Sequence, residues 1–198
     1  MRLYWRLIEK LPDLRGRCLR LHLLTGGQRI EQLVRLRWSD VRPDQITIYD
    51  IKGRPGQGGP RTHTLPLVDA AARDLQAFQR TGDYVFSTTE GVRPIAGTTL
   101  SSWATQVVGS AIEGFQLKRV RSGVETVLAA NRISREIRGH VQSHGLTGVQ
   151  ARHYDGHDYM REKREALDVL VREVTHRETP APAGRRFRVP RVKPATPH

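Results

Sequence analysis

The sequence predicts an α+β domain, mainly α, with one small antiparallel β-hairpin. Three observations predict it. Apolar residues recur at helical spacing over most of the chain, as in 158–175, where Leu167, Val169, Leu170 and Val174 form a stripe. Strict alternation is confined to two short runs, 45–50 and 61–67. The residues between those runs, Gly53-Arg54-Pro55-Gly56-Gln57-Gly58-Gly59-Pro60, have the composition of a long hairpin loop.

The elements follow in order. Residues 16–24 (Gly-Arg-Cys-Leu-Arg-Leu-His-Leu-Leu) read as a buried helix, with Cys18 as a small core residue, and Thr25-Gly26-Gly27 interrupts it. A second helix spans about 28–37, with Ile30, Leu33, Val34 and Leu36 as its apolar contacts. After the hairpin the pattern is helical over 69–80, 98–112, 119–130, 134–142, 148–154 and 158–175, with a short extended piece at 84–86. From 177 the composition changes: five prolines and basic residues at 185, 186, 188, 191 and 193 leave too little apolar surface to offset ordering. The chain is therefore expected to divide into a domain at 1–176 and a disordered, basic, proline-rich tail at 177–198.

The 198 residues carry 33 Lys and Arg against 20 Asp and Glu, a formal charge of +13. Such an excess attracts polyanions and releases the counterions condensed on them. The single cysteine excludes a disulfide framework and fits a reducing cytoplasm. No apolar run reaches membrane-spanning length, so no membrane partner is expected. The glycines at 53–59 match neither a Walker A loop nor a dinucleotide fingerprint.

Four segments could carry chemistry. In Thr25-Gly26-Gly27-Gln28-Arg29 the glycines allow a sharp turn that sets Arg29 at a helix start, and a guanidinium fork suits a phosphate. Read alone, Arg29 fits a solvated or ion-paired arginine better. Lys52 falls at the hairpin tip with Arg54 as a rival, in a position where most lysines only solubilise. Lys118 and Arg121 stand one helical turn apart, a repulsive pair unless an anion lies between them. In Ser143-His144-Gly145-Leu146-Thr147-Gly148-Val149-Gln150-Ala151-Arg152-His153-Tyr154, a break between two short helices would let His144 and Tyr154 approach each other.

Taken in order, these segments resemble the tyrosine recombinases, or phage integrases, over about residues 14–175. The order Arg, Lys, basic-x-x-Arg, His, Tyr is that of the family. Thr25-Gly26-Gly27-Gln28-Arg29, followed by Leu33 and Leu36-Arg37-Trp38-Ser39-Asp40-Val41, is similar to its first arginine box, with one residue more between Thr-Gly and the arginine and with Gln32 where Glu is usual. Thr64-Leu65-Pro66-Leu67 resembles the close of the family hairpin. Lys118 and Arg121 match its His-x-x-Arg box with lysine for histidine, and 143–155 resembles the His–Tyr box of phage and genomic-island integrases.

The resemblance implies a helical catalytic domain of tyrosine recombinase type, with Arg29, Lys52, Lys118, Arg121, His144 and Tyr154 as its site. Tyr154 would attack a phosphodiester of duplex DNA and form a 3′-phosphotyrosyl link, Arg29 and Arg121 would hold the non-bridging oxygens, and Lys52 would protonate the leaving 5′-oxygen. Neither a cofactor nor a metal is called for. The implied partners are attachment-site DNA, further copies of the chain in a tetramer on two duplexes, and accessory DNA-bending proteins. Family members generally carry an N-terminal DNA-clamping domain that no segment here matches, so the chain reads as a fragment or as the product of a truncated gene. A type IB topoisomerase shares the chemistry, and a DNA-binding remnant that no longer cleaves shares the sequence pattern.

Overall fold

The computed structural model describes residues 1–50, 61–144 and 157–176. The first helix, α1 (Arg2–Ile8), was not foreseen in the sequence; it buries Tyr4 and Ile8. Asp13 then caps α2 (Leu14–Leu24) by accepting a hydrogen bond from the Gly16 amide at 2.9 Å. α2 is the central element. Every residue from Cys18 to Gln28 is buried, and the helix packs on α1, on α4 (Asp69–Gln76), on α5 (Gly97–Val108) and on α8 (Met160–Thr175). A helix apolar on nearly all sides must be enclosed in this way.

One charged residue lies inside that enclosure. Arg20 donates to both carboxylate oxygens of Asp74 and to the carbonyls of Ile8 and Leu11, so one guanidinium ties α2 to α4 and to the end of α1. A buried arginine is tolerated because its donors are met by a carboxylate and by carbonyls that would otherwise be orphaned.

The helix expected over 28–37 shrinks to α3 (Ile30–Leu33), and the chain continues through a short 3-10 turn at Trp38–Asp40. The physical reason is a competing pairing. The Val85 amide donates to the Leu36 carbonyl, and the Trp38 amide to the Asp83 carbonyl, so 36–38 lies extended beside the short piece anticipated at 84–86.

β1 (Gln45–Asp50) and β2 (Arg61–Pro66) pair antiparallel, from Gln45 opposite Pro66 to Asp50 opposite Arg61. Ile46, Ile48 and Leu65 point into the core. α4 ends at Gln76 and α5 at Val108, both short of the expected limits, and α6 (Arg119–Ala130) has the expected ones. α7 (Arg135–Gln142) is capped by Ser134, which accepts from the Ile137 amide. α8 buries Ala166, Leu167, Leu170 and Val174 against α1, α6, α7 and β2, while Lys163 on the same face donates to the Thr64 carbonyl at 2.8 Å. Cys18 is fully buried, as its apolar setting implied. Among the described residues no helix is long and apolar enough to cross a membrane.

Candidate active site

The site is built where three chain turns meet: the loop after α2, the start of α6 and the end of α7. At the first, the Thr25 hydroxyl donates back to the Leu21 carbonyl at 2.8 Å and closes α2. Gly26 and Gly27 follow at φ of 89° and 65°, a backbone region that glycine enters without steric cost. Gly27 lies directly on α6. Gln28 is buried and holds the loop from inside: its amide nitrogen donates to the carbonyls of Thr25 and Val141, and its own carbonyl accepts from His22 at 3.0 Å. The result is that Arg29, the residue leading into α3, projects from a fixed backbone. Its guanidinium is 44 % exposed and reaches Asp50, at the end of β1, at 3.4 Å.

At the start of α6 stand Lys118 and Arg121. Arg121 is partly buried and donates to the Gly27 carbonyl at 3.5 Å and to the Gln142 carbonyl. Arg121, Arg29 and Lys118 line one cleft of about 810 Å³, shared with His22, Tyr49 and Asp50.

At the end of α7, Gln142 joins the turns. It is buried, and its amide nitrogen donates to the carbonyls of Gly26 and Arg121 at 3.0 and 2.8 Å. That use of the nitrogen leaves Oε1 as an acceptor, and Oε1 lies 2.9 Å from Nε2 of His144. The network therefore assigns the proton of neutral His144 to Nε2 and leaves Nδ1 as the basic atom. Ser143 makes this possible by taking a left-handed conformation (φ 51°, ψ 52°), which reverses the chain at the helix end, and the His144 amide bonds back to the Gly139 carbonyl. A non-glycine residue in that region is uncommon and accumulates at functional sites.

Electrostatics follow from this crowding. Burial, with the nearby Arg29 cation, lowers the pKa of Arg121 to about 10, and Glu125 opposes the shift; the guanidinium remains charged at neutral pH. The sequence pairs Arg121 with Lys118 as mutually repelling cations, but the cation that bears on Arg121 is Arg29, brought there by the Gly27 contact. His144 is held below the ordinary imidazole value by burial first and by Arg121 next, with Glu125 pulling the other way. His22 is pushed down to about 4 by burial. Two arginines and a lysine at one cleft, with His144 held beside them by Gln142, offer donors suited to an anion with several oxygens.

Of the residues singled out from sequence, Arg29, Lys118, Arg121 and His144 are thus brought together. Lys52, its rival Arg54, and Tyr154 lie outside the described residues. Tyr159, the next tyrosine in the chain, is engaged elsewhere. Its hydroxyl donates to Glu136 at 3.2 Å, its ring stacks on His140 at 3.8 Å, and His157 meets it edge-on at 4.7 Å. Sequence reasoning missed Gln28, Gln142, Glu125 and His22. Glu125 alone left a signal, since it stands four residues after Arg121 on the same helix face.

This architecture is that of the phage integrases. The chain superposes on the integrase of mycobacterium phage Brujita with a TM-score of 0.65 at 14% sequence identity, covering 85% of this chain and 56% of that one. It is similar to a lambda integrase (75–356) dimer bound to a COC′ core site, with a TM-score of 0.52, 22% identity and coverage of 73% and 54%. It is similar also to a lambda integrase tetramer bound to a Holliday junction, with a TM-score of 0.53, 21% identity and coverage of 79% and 46%. The chain has the tyrosine-recombinase catalytic-domain fold, and it spans about half the length of these structures. No family model matches the chain, and no curated protein matches its sequence.

Proposed function

We propose that this chain is the catalytic domain of a site-specific DNA recombinase that cuts and rejoins duplex DNA through a 3′-phosphotyrosyl intermediate, in the integration or excision of a phage or genomic island. The observation that carries the proposal is the convergence of Arg29, Lys118 and Arg121 on one cleft, with His144 held beside Arg121 by Gln142. These are four of the six side chains that the reaction uses on this reading, in a fold shared with integrases.

In the first step the Tyr154 hydroxyl attacks phosphorus, the bond to the 5′-oxygen breaks, and a phosphotyrosine ester keeps the phosphodiester linkage in being. His144 receives the tyrosine proton on Nδ1, the atom that the Gln142 contact leaves basic. Arg29 and Arg121 hold the non-bridging oxygens, on which charge builds, and Lys118 adds a third cation. The phosphate would draw Arg29 away from Asp50, an ion pair exposed enough to yield at little cost. Lys52 gives the leaving 5′-oxygen its proton. A 5′-hydroxyl from a second strand then attacks the ester, and the proton transfers run in reverse. All the charge compensation comes from side chains.

Full recombination on this reading uses four copies of the chain on two attachment-site duplexes in the cytoplasm, helped by DNA-bending proteins. The lambda integrase tetramer on a Holliday junction supports that assembly. Residues 1–176 form the catalytic unit, and the basic segment 177–198 adds sequence-independent attraction to DNA.

The test is covalent capture on nicked duplexes drawn from the DNA flanking the gene, in which the short leaving strand diffuses away. The parent chain should form a protein–DNA adduct. Tyr154→Phe should form none, while Tyr159→Phe should retain it because the Tyr159 hydroxyl is bound to Glu136. An adduct in Tyr154→Phe would remove the assigned nucleophile. Binding without any adduct in the parent would favour a remnant that only binds, and relaxation of supercoils without exchange between two sites would favour a topoisomerase.

A further inference from the structure

Glu125 has no part in the chemistry described so far, yet its carboxylate is placed at the back of the cationic cluster. One oxygen, Oε1, accepts from Nε of Arg138 at 2.6 Å. The other, Oε2, is buried and makes no hydrogen bond, and it lies 3.8 Å from Nε2 of His144. An unpartnered carboxylate oxygen inside a protein is costly, and its occurrence asks for an explanation. Gln32 stands at the one position of the arginine box where the sequence resemblance expects a carboxylate, so that position offers His144 no acid.

We propose that Glu125 is the positioning residue of His144: from behind the imidazole it holds the Nε2–H edge toward the interior and keeps the ring basic against the surrounding arginines. The inference deepens the recombinase reading and rests on it for the role of His144, though the contact itself does not. The charged groups facing His144 are Arg121 and Glu125 from α6, Arg29 from the loop before α3, and Arg138 from α7. Three are cations, and each disfavours a proton on the imidazole. Glu125 is the single anion among them. Without it, nothing among these groups would offset the cations around the ring that must take the Tyr154 proton. With it, the Nε2 edge has two acceptors to choose between, Gln142 Oε1 at 2.9 Å and Glu125 Oε2 at 3.8 Å, and both lie on the side away from Nδ1. Protonation of Nδ1 during the reaction creates a cation whose Nε2–H can then close on the carboxylate. The oxygen that is unsatisfied in the resting protein gains its partner at that moment.

The test is a proton NMR titration of His144 in the full chain without DNA, assigned by comparison with His144→Gln. Glu125→Gln keeps the shape and the Arg138 contact but removes the charge. It should move the His144 midpoint to lower pH by about one unit, a tenfold loss of proton affinity for a half-exposed ring facing one carboxylate. Arg138→Gln removes a cation and frees the same carboxylate, so it should move the midpoint the other way. General loosening of the fold cannot produce shifts of opposite sign. In covalent capture, where His144 acts as base, the acidic limb of the pH–rate profile should follow the NMR midpoint downward in Glu125→Gln, and Glu125→Asp should restore part of the parent profile. Unchanged titration in Glu125→Gln, or shifts of the same sign in both variants, would overturn the proposal. A parent that forms no adduct at any pH would sink the recombinase reading instead, and the NMR titration would still decide the contact.

Discussion

Gly27 and Arg121 meet backbone to backbone: a Cβ placed on Gly27 would stand 2.9 Å from the Cα of Arg121 and 3.1 Å from its amide nitrogen. Ninety-four residues separate the two in sequence, and this contact fixes the spacing of the two arginines at the cleft. It also explains the double glycine. Gly26 turns the chain out of α2, and Gly27 lets α6 approach.

Gly27→Ala should therefore act on both stability and cleavage. The added methyl meets strain at φ 65° and a backbone that cannot yield as a side chain end would, for a loss of roughly 2–4 kcal/mol. Gly114 supplies the comparison. Its φ is 60°, but a Cβ there would meet only the end of the Arg119 side chain at 3.9 Å, so Gly114→Ala should cost about 1 kcal/mol. Denaturant melts of the two variants check this, and equal losses would show that the Gly27–Arg121 approach is not tight.

Stability should also fall on mild acidification, and His22 is a principal cause. Its Nε2 donates to the Gln28 carbonyl, its Nδ1 is buried without a partner, and its pKa is pushed down to about 4. A histidine that titrates near 6.5 when unfolded and near 4 when folded leaves the unfolded state with more bound protons between those values. Stability is then complete above about pH 6.5 and declines as pH falls through the window. His22 alone contributes about 2 kcal/mol of that decline between pH 6.5 and 5. His63, whose Nε2 meets the Val141 carbonyl and whose pKa is also lowered to about 4, acts in the same direction. His22→Gln should flatten the pH dependence of the denaturation midpoint over this range, and an unaltered slope would contradict the assignment.

Much of this was legible in the sequence, for identifiable reasons. The hairpin strands show because alternation is a local signal, and α6 and α8 show because one face of each is apolar. The arginines, Lys118 and His144 show only through their order along the chain. What stayed hidden depends on the packing of distant segments. No local pattern marks Gln142 as the residue whose amide joins Gly26, Arg121 and His144, or Arg20 as a buried clamp on Asp74. The helix expected at 28–37 was cut short because 36–38 found an extended partner at 83–85, nearly fifty residues on, a tertiary pairing that overrides local helical preference.

The arginines should separate in how they fail. Arg29→Lys and Arg121→Lys keep the charge and lose the planar fork, and each should slow adduct formation by roughly 100-fold or more, the usual cost of losing one preorganised donor. Only Arg121→Lys should also destabilise the protein, since its guanidinium holds the carbonyls of Gly27 and Gln142. Arg29 is bound to Asp50 through an exposed pair worth little, so its variant should melt like the parent. Cleavage within a few-fold of the parent in either variant would remove that residue from the chemistry.

Lys52 can be tested through its leaving group. It follows Asp50, the last residue of β1, by two positions, and Asp50 already touches Arg29, so the chain enters the hairpin loop at the edge of the cleft. A 5′-alkoxide leaves poorly unless it is protonated, whereas a 5′-bridging sulfur leaves well without a proton. Lys52→Ala should therefore cleave ordinary DNA slowly and a 5′-phosphorothiolate substrate at nearly the parent rate. Arg121→Ala should show no comparable rescue, because the proposed mechanism places its contribution at the non-bridging oxygens, which the sulfur does not change. The ratio of the two substrates' rates in each variant is the measurement. If sulfur fails to rescue Lys52→Ala, the lysine is not the proton donor, and Arg54→Ala tested on the same pair of substrates would show whether the proton comes from two residues further along the chain.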